Sequence, residues 1–183
     1  MNGTILIVDD DPDIVTILQD RLAALGFDTL TAGQGERALE LLEREAPALL
    51  LLDIEMPGLS GLEVLKRLSQ AGGGKPEVPV IVMTAHGTIA RAVEAMKWGA
   101  NDFITKPFDS DHLDLAIRKC LEHESLRRQV DYLRGEVETR YAQVVGTSPK
   151  LQAVVDMARR AAQSSAGVLL LGESGTGKEL FRT

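Results

Sequence analysis

The stretch LLLLDIEMPGLSG, residues 49–61, decides the fold of this chain. Four consecutive leucines lead to Asp53, and helical spacing begins at Gly61. A short, continuously apolar run is typical of a strand that is covered on both faces, as the strands of a parallel sheet are. The stretch therefore predicts a buried strand with an acidic side chain at its carboxyl end.

Pairs of an apolar run and an amphipathic segment occur five times in the first 108 residues. The predicted strands are Thr4 to Val8, Phe27 to Thr31, Ala48 to Leu52, Val80 to Met83 and Asp102 to Thr105. The predicted helices are one from Pro12, Glu36 to Glu45, Gly61 to Ser69, Ile89 to Trp98 and one from Ser110 onward. This alternation indicates an α/β fold. We predict a flavodoxin-like, doubly wound (βα)5 domain whose parallel sheet has the strand order 2-1-3-4-5.

The first helix has well-marked ends. Asp11 is a suitable N-cap, Pro12 is favoured at the first helical position, and Gly26 suits the helix end. One face of the helix is apolar and consists of Ile14, Leu18, Leu22 and Leu25.

The composition bounds the class of protein. With 183 residues, the chain has room for one full domain and a further fragment. No apolar run approaches the ~20 residues that span a bilayer, so we expect a cytoplasmic protein without a membrane partner. The single cysteine, Cys120, excludes an internal disulfide. A net charge of −7 disfavours nonspecific attraction to nucleic acid.

Polar and charged side chains follow four of the predicted strands. Asp9, Asp10 and Asp11 follow the first strand, Asp53 the third, Thr84 the fourth and Lys106 the fifth. In an open parallel sheet, ligands bind beyond the carboxyl ends of the strands where the strand order reverses. Strands one and three flank that point, so we expect Asp10 and Asp53 to converge. Neighbouring carboxylates repel each other, and a hard cation such as Mg²⁺ would compensate their charge.

These residue types suit phosphoryl transfer as a set. A carboxylate such as Asp53 can act as a nucleophile and form an aspartyl phosphate. A cation, Lys106 and the hydroxyl of Thr84 would position and neutralise the phosphoryl group. Each residue alone also has a structural interpretation, because acidic runs and threonines cap helices and lysines are mostly solvated.

Four blocks of sequence resemble the receiver domain of bacterial two-component response regulators. They are ILIVDDDP, LLLLDIEMPGLSG, VIVMTAHG and AMKWGANDFITKPF, and the resemblance covers residues 3 to 122. It implies that a sensor histidine kinase is the partner and Asp53 the phosphoacceptor. It further implies that Asp10, Asp53 and the main-chain carbonyl of Glu55 bind Mg²⁺, with Asp9 at the edge of the site. By the same resemblance Lys106 contacts the phosphoryl group, Thr84 moves toward it, and Phe103 changes rotamer with Thr84.

A helical pattern continues beyond Ser110. Leu113, Ile117 and Leu121 suit the domain core, and Leu126, Val130, Leu133 and Val137 then repeat at alternating four and three. This spacing predicts a short coiled coil and a homodimer through helix five and a linker over residues 123–143. An amphipathic helix folded onto the next domain is the alternative, because two heptads that contain Gly135 are a weak signal.

The last segment, residues 144–183, carries a phosphate-binding loop pattern. GESGTGKE, residues 172–179, follows the predicted strand Val168 to Leu171 and matches GxxxxGK, with Glu179 in place of Ser or Thr. Together with VVGTSPKLQAVV it resembles the start of the AAA+ ATPase domain of sigma-54-dependent activators. The resemblance implies a nucleotide-binding set of Gly172, Gly175, Thr176, Gly177, Lys178 and Glu179.

Later AAA+ motifs are absent from these residues, so we expect an incomplete domain and no ATP hydrolysis by this chain. ATP would be a cofactor only of a complete domain, and sigma-54 RNA polymerase and DNA would be partners only of a full-length protein. The leading hypothesis is thus a phosphorylation-activated response regulator that is not an enzyme beyond its own phosphorylation. A nucleotide hydrolase and a phosphorylation-independent dimerisation domain are the alternatives.

Overall fold

A computed structural model describes residues 3–85, 89–142, 148–162, 169 and 171. The chain divides into two compact units, Met1–Leu126 and Arg127–Thr183.

The first unit contains the predicted alternation of strands and helices. The strands are β1 (Thr4–Val8), β2 (Asp28–Ala32), β3 (Leu49–Asp53), β4 (Val80–Ala85) and β5 (Asp102–Lys106). The helices are α1 (Pro12–Ala24), α2 (Gly35–Glu45), α3 (Gly61–Ala71), α4 (Ile89–Lys97) and α5 (Ser110–Ala142), of which α5 continues past Leu126. The five strands form one parallel sheet with the order β2-β1-β3-β4-β5. The predicted flavodoxin-like fold is confirmed.

The predicted strand ends were wrong by one or two residues. β2 and β3 lie one residue later than predicted, β4 continues to Ala85, and β5 continues to Lys106. The third and fourth predicted strands ended with their apolar runs, but backbone pairing continues past those runs. Asp53 pairs with Met83, and Thr84 pairs with Thr105. Asp53, Thr84 and Lys106 are therefore strand residues and do not follow the strands as predicted.

The sheet has a separate apolar core on each face. Leu50 and Leu52 of β3 point to one core, to which α2, α3 and α4 contribute, and Leu49 and Leu51 point to the other, to which α1 and α5 contribute. All four leucines are fully buried. Because successive strand residues face opposite sides, a strand covered on both faces is apolar throughout.

The ends of α1 follow the predicted signals. The side chain of Asp11 accepts a hydrogen bond from the amide of Asp13, and Pro12 begins the helix. Gly26 has a φ of 81°, a conformation that favours glycine, just after the C-cap residue Leu25. Of the predicted apolar face, Leu18 and Leu22 are fully buried, whereas Ile14 and Leu25 are partly exposed.

Helix α5 contributes Leu113, Ala116, Ile117 and Cys120 to the core. Burial is the largest influence on the Cys120 thiol and raises its pKa to about 11. A thiol with that pKa stays protonated at neutral pH and is a poor nucleophile. This agrees with a structural role for Cys120.

The second unit contains the end of α5 and a further helix, α6 (Pro149–Ala162). Val130 and Tyr132 of α5 are exposed, and the side chains of Leu133 and Val137 lie outside the described residues. Of the predicted strand Val168 to Leu171, Leu169 and Leu171 are described and are exposed, while the rest of it and the loop at residues 172–179 lie outside the described residues. In the part of the chain that the structure describes, no helix is both long and apolar enough to cross a membrane.

Candidate functional site

The carboxyl ends of three strands bring acidic and basic side chains together. Asp9 directly follows β1, Asp53 ends β3 and Lys106 ends β5. By strand alternation, Asp53 shares the face of Leu51 and Lys106 the face of Ile104, and both apolar side chains belong to the core beneath α1 and α5. One end of the sheet therefore presents these charges on a common face.

Lys106 bridges two carboxylates. Its Nζ donates a hydrogen bond to Asp53 Oδ2 at 2.7 Å and lies 2.6 Å from Asp9 Oδ2. The side chains of Asp9, Asp53 and Lys106 are 0%, 7% and 17% exposed. Asp9 Oδ2 accepts no aligned hydrogen bond, so the charge of Lys106 is its partner. These are short contacts between largely desolvated charges, for which loss of one partner is costly.

The other carboxylate oxygens are oriented by the backbone. The amide of Asp11 donates to Asp9 Oδ1 at 3.0 Å, and the amide of Glu55 donates to Asp53 Oδ1 at 3.1 Å. Both donors lie two residues after their acceptor, so the loops after β1 and β3 fold back onto the strand ends. The orientation of each carboxylate is thus set from two sides.

Burial and charge act in opposite directions on the pKa values of these groups. Burial raises the pKa of Asp9, and the contact with Lys106, the hydrogen bond from the Asp11 amide and the charge of Lys106 counter this only in part. Burial lowers the pKa of Lys106, but its hydrogen bond to Asp53, its close contact with Asp9 and the charges of both carboxylates outweigh the effect of burial, so the net pKa is raised. Lys106 is therefore protonated at neutral pH.

The donor set fits a hard divalent cation. Asp9, Asp10 and Asp53 each offer a carboxylate oxygen, and these atoms all lie within 4.8 Å of one another. Asp10 is exposed, so the set is open to solvent on one side. Three carboxylates and one ammonium leave a formal charge of −2 at the site. Mg²⁺ is usually held by one or two carboxylate oxygens and keeps several of its waters, which a solvent-open set with excess negative charge allows.

Thr84 and Phe103, which the sequence also indicated, lie on the two strands at one edge of the sheet. Thr84 is fully buried in β4, and its Oγ1 lies 3.4 Å from the carbonyl oxygen of Ala85. Phe103 is partly exposed and packs against the core beneath α2, α3 and α4. In register Phe103 pairs with Val82, and Thr105 with Thr84. Thr84 and Phe103 are thus diagonal neighbours. The Lys106–Pro107 bond is cis.

Two residues near the site were missed by sequence reasoning. A Cβ on Gly61 would lie 1.8 Å from the carbonyl oxygen of Asp53, so only glycine allows α3 to begin this close to the strand. Arg91 of α4 pairs with Glu55 at 3.1 Å. The glycine was visible at the start of a predicted helix, but no signal in the sequence connects Arg91 with Glu55.

Known proteins place this fold and site in a family. Residues 5–118 match the response regulator receiver domain, and the chain belongs to that family. Residues 144–183 match the sigma-54 interaction domain. The chain thus combines a receiver domain with a segment that is similar to the sigma-54 interaction domain.

Several relatives match over nearly the whole chain. The chain is 36% identical over 179 residues to the regulatory protein AtoC of Escherichia coli strain K12, which covers 97% of this chain and 38% of AtoC. It is 38% identical over 178 residues to the DNA-binding transcriptional regulator NtrC of the same strain, with 97% and 37% covered. The chain therefore spans less than two fifths of the length of these relatives.

Two solved structures show how far the likeness extends in space. NtrX from Brucella abortus matches with a TM-score of 0.70 at 36% identity, over 99% of this chain and 39% of NtrX. The receiver domain of NtrX alone matches with a TM-score of 0.60 at 39% identity, over 64% of this chain and 98% of that domain.

Proposed function

We propose that Asp53 accepts a phosphoryl group from the phosphohistidine of a sensor kinase and that this chain works as a phosphorylation-activated regulator. The contact that carries the proposal is the bridge from Lys106 Nζ to Asp53 Oδ2 at 2.7 Å within a buried acidic cluster. A lysine that is only solvated, or an aspartate that only caps a helix, would be exposed, whereas the side chains of Lys106 and Asp53 are largely buried. The family relationship supports the same role.

In the proposed step, one carboxylate oxygen of Asp53 attacks phosphorus while the bond from phosphorus to the donor nitrogen breaks. The Glu55 amide and Lys106 hold the carboxylate from its two oxygens. Lys106 is also placed to neutralise charge on the transferred group, which is the main requirement of phosphoryl transfer. Asp10, Asp53 and the main-chain carbonyl of Glu55 would hold Mg²⁺, with Asp9 in support. Bound Mg²⁺ would neutralise the phosphoryl oxygens.

The switch is proposed to pass through Thr84 and Phe103. Their diagonal placement on β4 and β5 allows a shift of the Thr84 hydroxyl toward a phosphoryl group to free space for Phe103. Phe103 already packs against the core beneath α2, α3 and α4. A change in its rotamer would thus alter the α4 and β5 surface.

The rest of the chain is assigned by analogy with its relatives. We assign residues 1–122 to the receiver, 123–143 to a helical linker that dimerises with helix five, and 144–183 to a sigma-54 interaction segment. In a longer protein this arrangement would control sigma-54 RNA polymerase at DNA in the cytoplasm. Beyond accepting its own phosphoryl group, the chain would have no enzymatic activity.

Intact-mass spectrometry tests the phosphoacceptor. The chain is incubated with acetyl phosphate and Mg²⁺, alongside Asp53→Asn and the control Asp20→Asn, which changes an exposed aspartate of α1. We expect one added phosphoryl group on the wild type and on the Asp20 variant and none on Asp53→Asn. Equal labelling of the Asp53 variant would refute the assignment.

A nucleotide site is a second candidate function. It is supported by the match of residues 144–183 and by NtrX from Brucella abortus, whose structures include complexes with ADP and with ATP. Gly172, Gly175, Thr176, Gly177, Lys178 and Glu179 would form the site, all outside the described residues. Calorimetry with ATP should show binding that Lys178→Ala abolishes. Binding that survives in Lys178→Ala would exclude this loop.

A further inference from the structure

Two ion pairs connect α4 to its neighbours. Arg91 Nη1 lies 3.1 Å from Glu55 Oε1 in the loop after β3, and Glu94 Oε1 lies 2.8 Å from Lys66 Nζ on α3. Arg91 and Glu94 are three residues apart and lie on the same side of α4. Both pairs are partly solvated, with side chains between 33% and 54% exposed. They are alike in chemistry and differ in what they join to α4.

Only the Arg91 pair reaches the acidic site. Glu55 donates its amide to Asp53 Oδ1 at 3.1 Å, so its side chain starts from a residue in contact with the proposed phosphoacceptor. The site already has a formal charge of −2 from three carboxylates and Lys106. An unpaired Glu55 would make it −3 on the solvent side. Arg91 offsets this fourth carboxylate.

We propose that Arg91 is a positioning residue for the phosphodonor. By neutralising Glu55, Arg91 sets how readily a dianionic donor approaches Asp53. The inference rests on the proposed function of Asp53. It extends the site to a cation on α4 that contacts neither the phosphoacceptor nor Lys106. It also makes the rate of phosphorylation depend on where α4 lies.

The expected effect follows from the exposure of the pair. Because the side chain of Glu55 is partly solvated, water screens its repulsion of the donor, and at ~8 Å a single charge repels a dianion by ~1 kcal/mol in water. Loss of Arg91 should therefore slow phosphorylation by a dianionic donor by up to about fivefold at low salt. Because the Debye length is about 3 Å at 1 M salt, the difference should nearly vanish there. A purely structural role of Arg91 would not show this dependence on salt.

The test measures the rate of phosphorylation of the full chain by acetyl phosphate at saturating Mg²⁺, at low and high salt. The variants are Arg91→Ala, Glu55→Gln with Arg91→Ala, and the control Lys66→Ala, which also removes one cation and one α4 pair. Far-UV circular dichroism checks that each variant is folded, because Lys66 lies over the ring of Trp98 and its removal would alter the fluorescence of that residue.

We expect Arg91→Ala to be slow only at low salt, the double variant to return to the wild-type rate, and Lys66→Ala to match the wild type. Equal rates for Arg91→Ala and the wild type would overturn the inference but leave Asp53 as phosphoacceptor. So would a slow double variant or an equal loss in Lys66→Ala. Absence of labelling in the wild type would instead overturn the proposed function itself.

Discussion

Replacing Lys106 with methionine should destabilise the receiver strongly in the absence of divalent ions. The change removes the cation that lies 2.6 Å and 2.7 Å from Asp9 and Asp53 and keeps most of the apolar stem. Removal of one partner from a buried pair costs about 3–5 kcal/mol, because a desolvated charge is left unpaired. With 17% of the Lys106 side chain exposed, we expect a loss of about 3 kcal/mol.

Urea unfolding followed by Trp98 fluorescence measures this loss in the receiver, because Trp98 is the only tryptophan and packs against its core. The titration is run on the full chain in EDTA and again in Mg²⁺. The charge of Mg²⁺ should compensate for the missing positive charge of Lys106 and reduce the loss of stability. Arg37→Met, which breaks the solvated pair with Glu40, is the control and should cost less than about 1 kcal/mol.

The double variant Lys106→Met with Asp9→Asn separates charge from packing. Asp9 is fully buried, so removing its charge should recover about half of the loss. A cost of less than about 1 kcal/mol for Lys106→Met in EDTA would refute a stabilising role of the Lys106 bridge. Further destabilisation when Asp9→Asn is added would refute it as well.

Three further predictions concern the backbone, a helix cap and the cation. Gly61→Ala should unfold at far lower urea than Gly33→Ala, because its Cβ would lie 1.8 Å from a carbonyl oxygen whereas that of Gly33 has its nearest neighbour at 3.9 Å. Ser60→Ala should cost about 1 kcal/mol, since it removes the side chain of a capping box. Hydrogen bonds from Ser60 lower the pKa of Glu63 below 4.5. The cap should therefore stabilise the folded chain fully above that pH, and this stabilisation should be lost as the pH falls through the pKa of Glu63 in the folded state. Urea titrations at several pH values would detect the loss. Asp10→Asn should raise the unfolding temperature in EDTA, because it relieves the repulsion among the three carboxylates. It should also abolish the increase in unfolding temperature that Mg²⁺ gives the wild type. A lowered unfolding temperature in EDTA would contradict this.

Much of the fold could be predicted because its decisive signals are local. The run Leu49 to Leu52 is apolar throughout because both faces of β3 are covered, and that pattern is visible without coordinates. The meeting of Asp10 and Asp53 also followed, since the strand order places the ends of β1 and β3 side by side, whereas Asp9 was indicated only by the resemblance to receiver domains. The strand ends did not follow, because pairing such as that of Thr84 with Thr105 depends on the neighbouring strand.

The rest of the site depends on contacts between residues distant in sequence. Lys106 could be assigned to the site from its place at the carboxyl end of the fifth predicted strand, but its simultaneous contact with Asp9 and Asp53 needs side-chain positions. The pair of Arg91 with Glu55 spans 36 positions and depends on how α4 packs. An arginine on an amphipathic helix is usually solvated, so its sequence position alone does not indicate a partner.

The most direct test of Asp53 as the phosphoacceptor is to locate the phosphoryl group. After incubation with acetyl phosphate and Mg²⁺, borohydride reduces an aspartyl phosphate to homoserine, which marks the modified position for peptide mass spectrometry. We expect homoserine at position 53 and unmodified aspartate at positions 9, 10 and 11. Homoserine at one of those three positions with unmodified Asp53, or a phosphoryl group on another residue type, would contradict it.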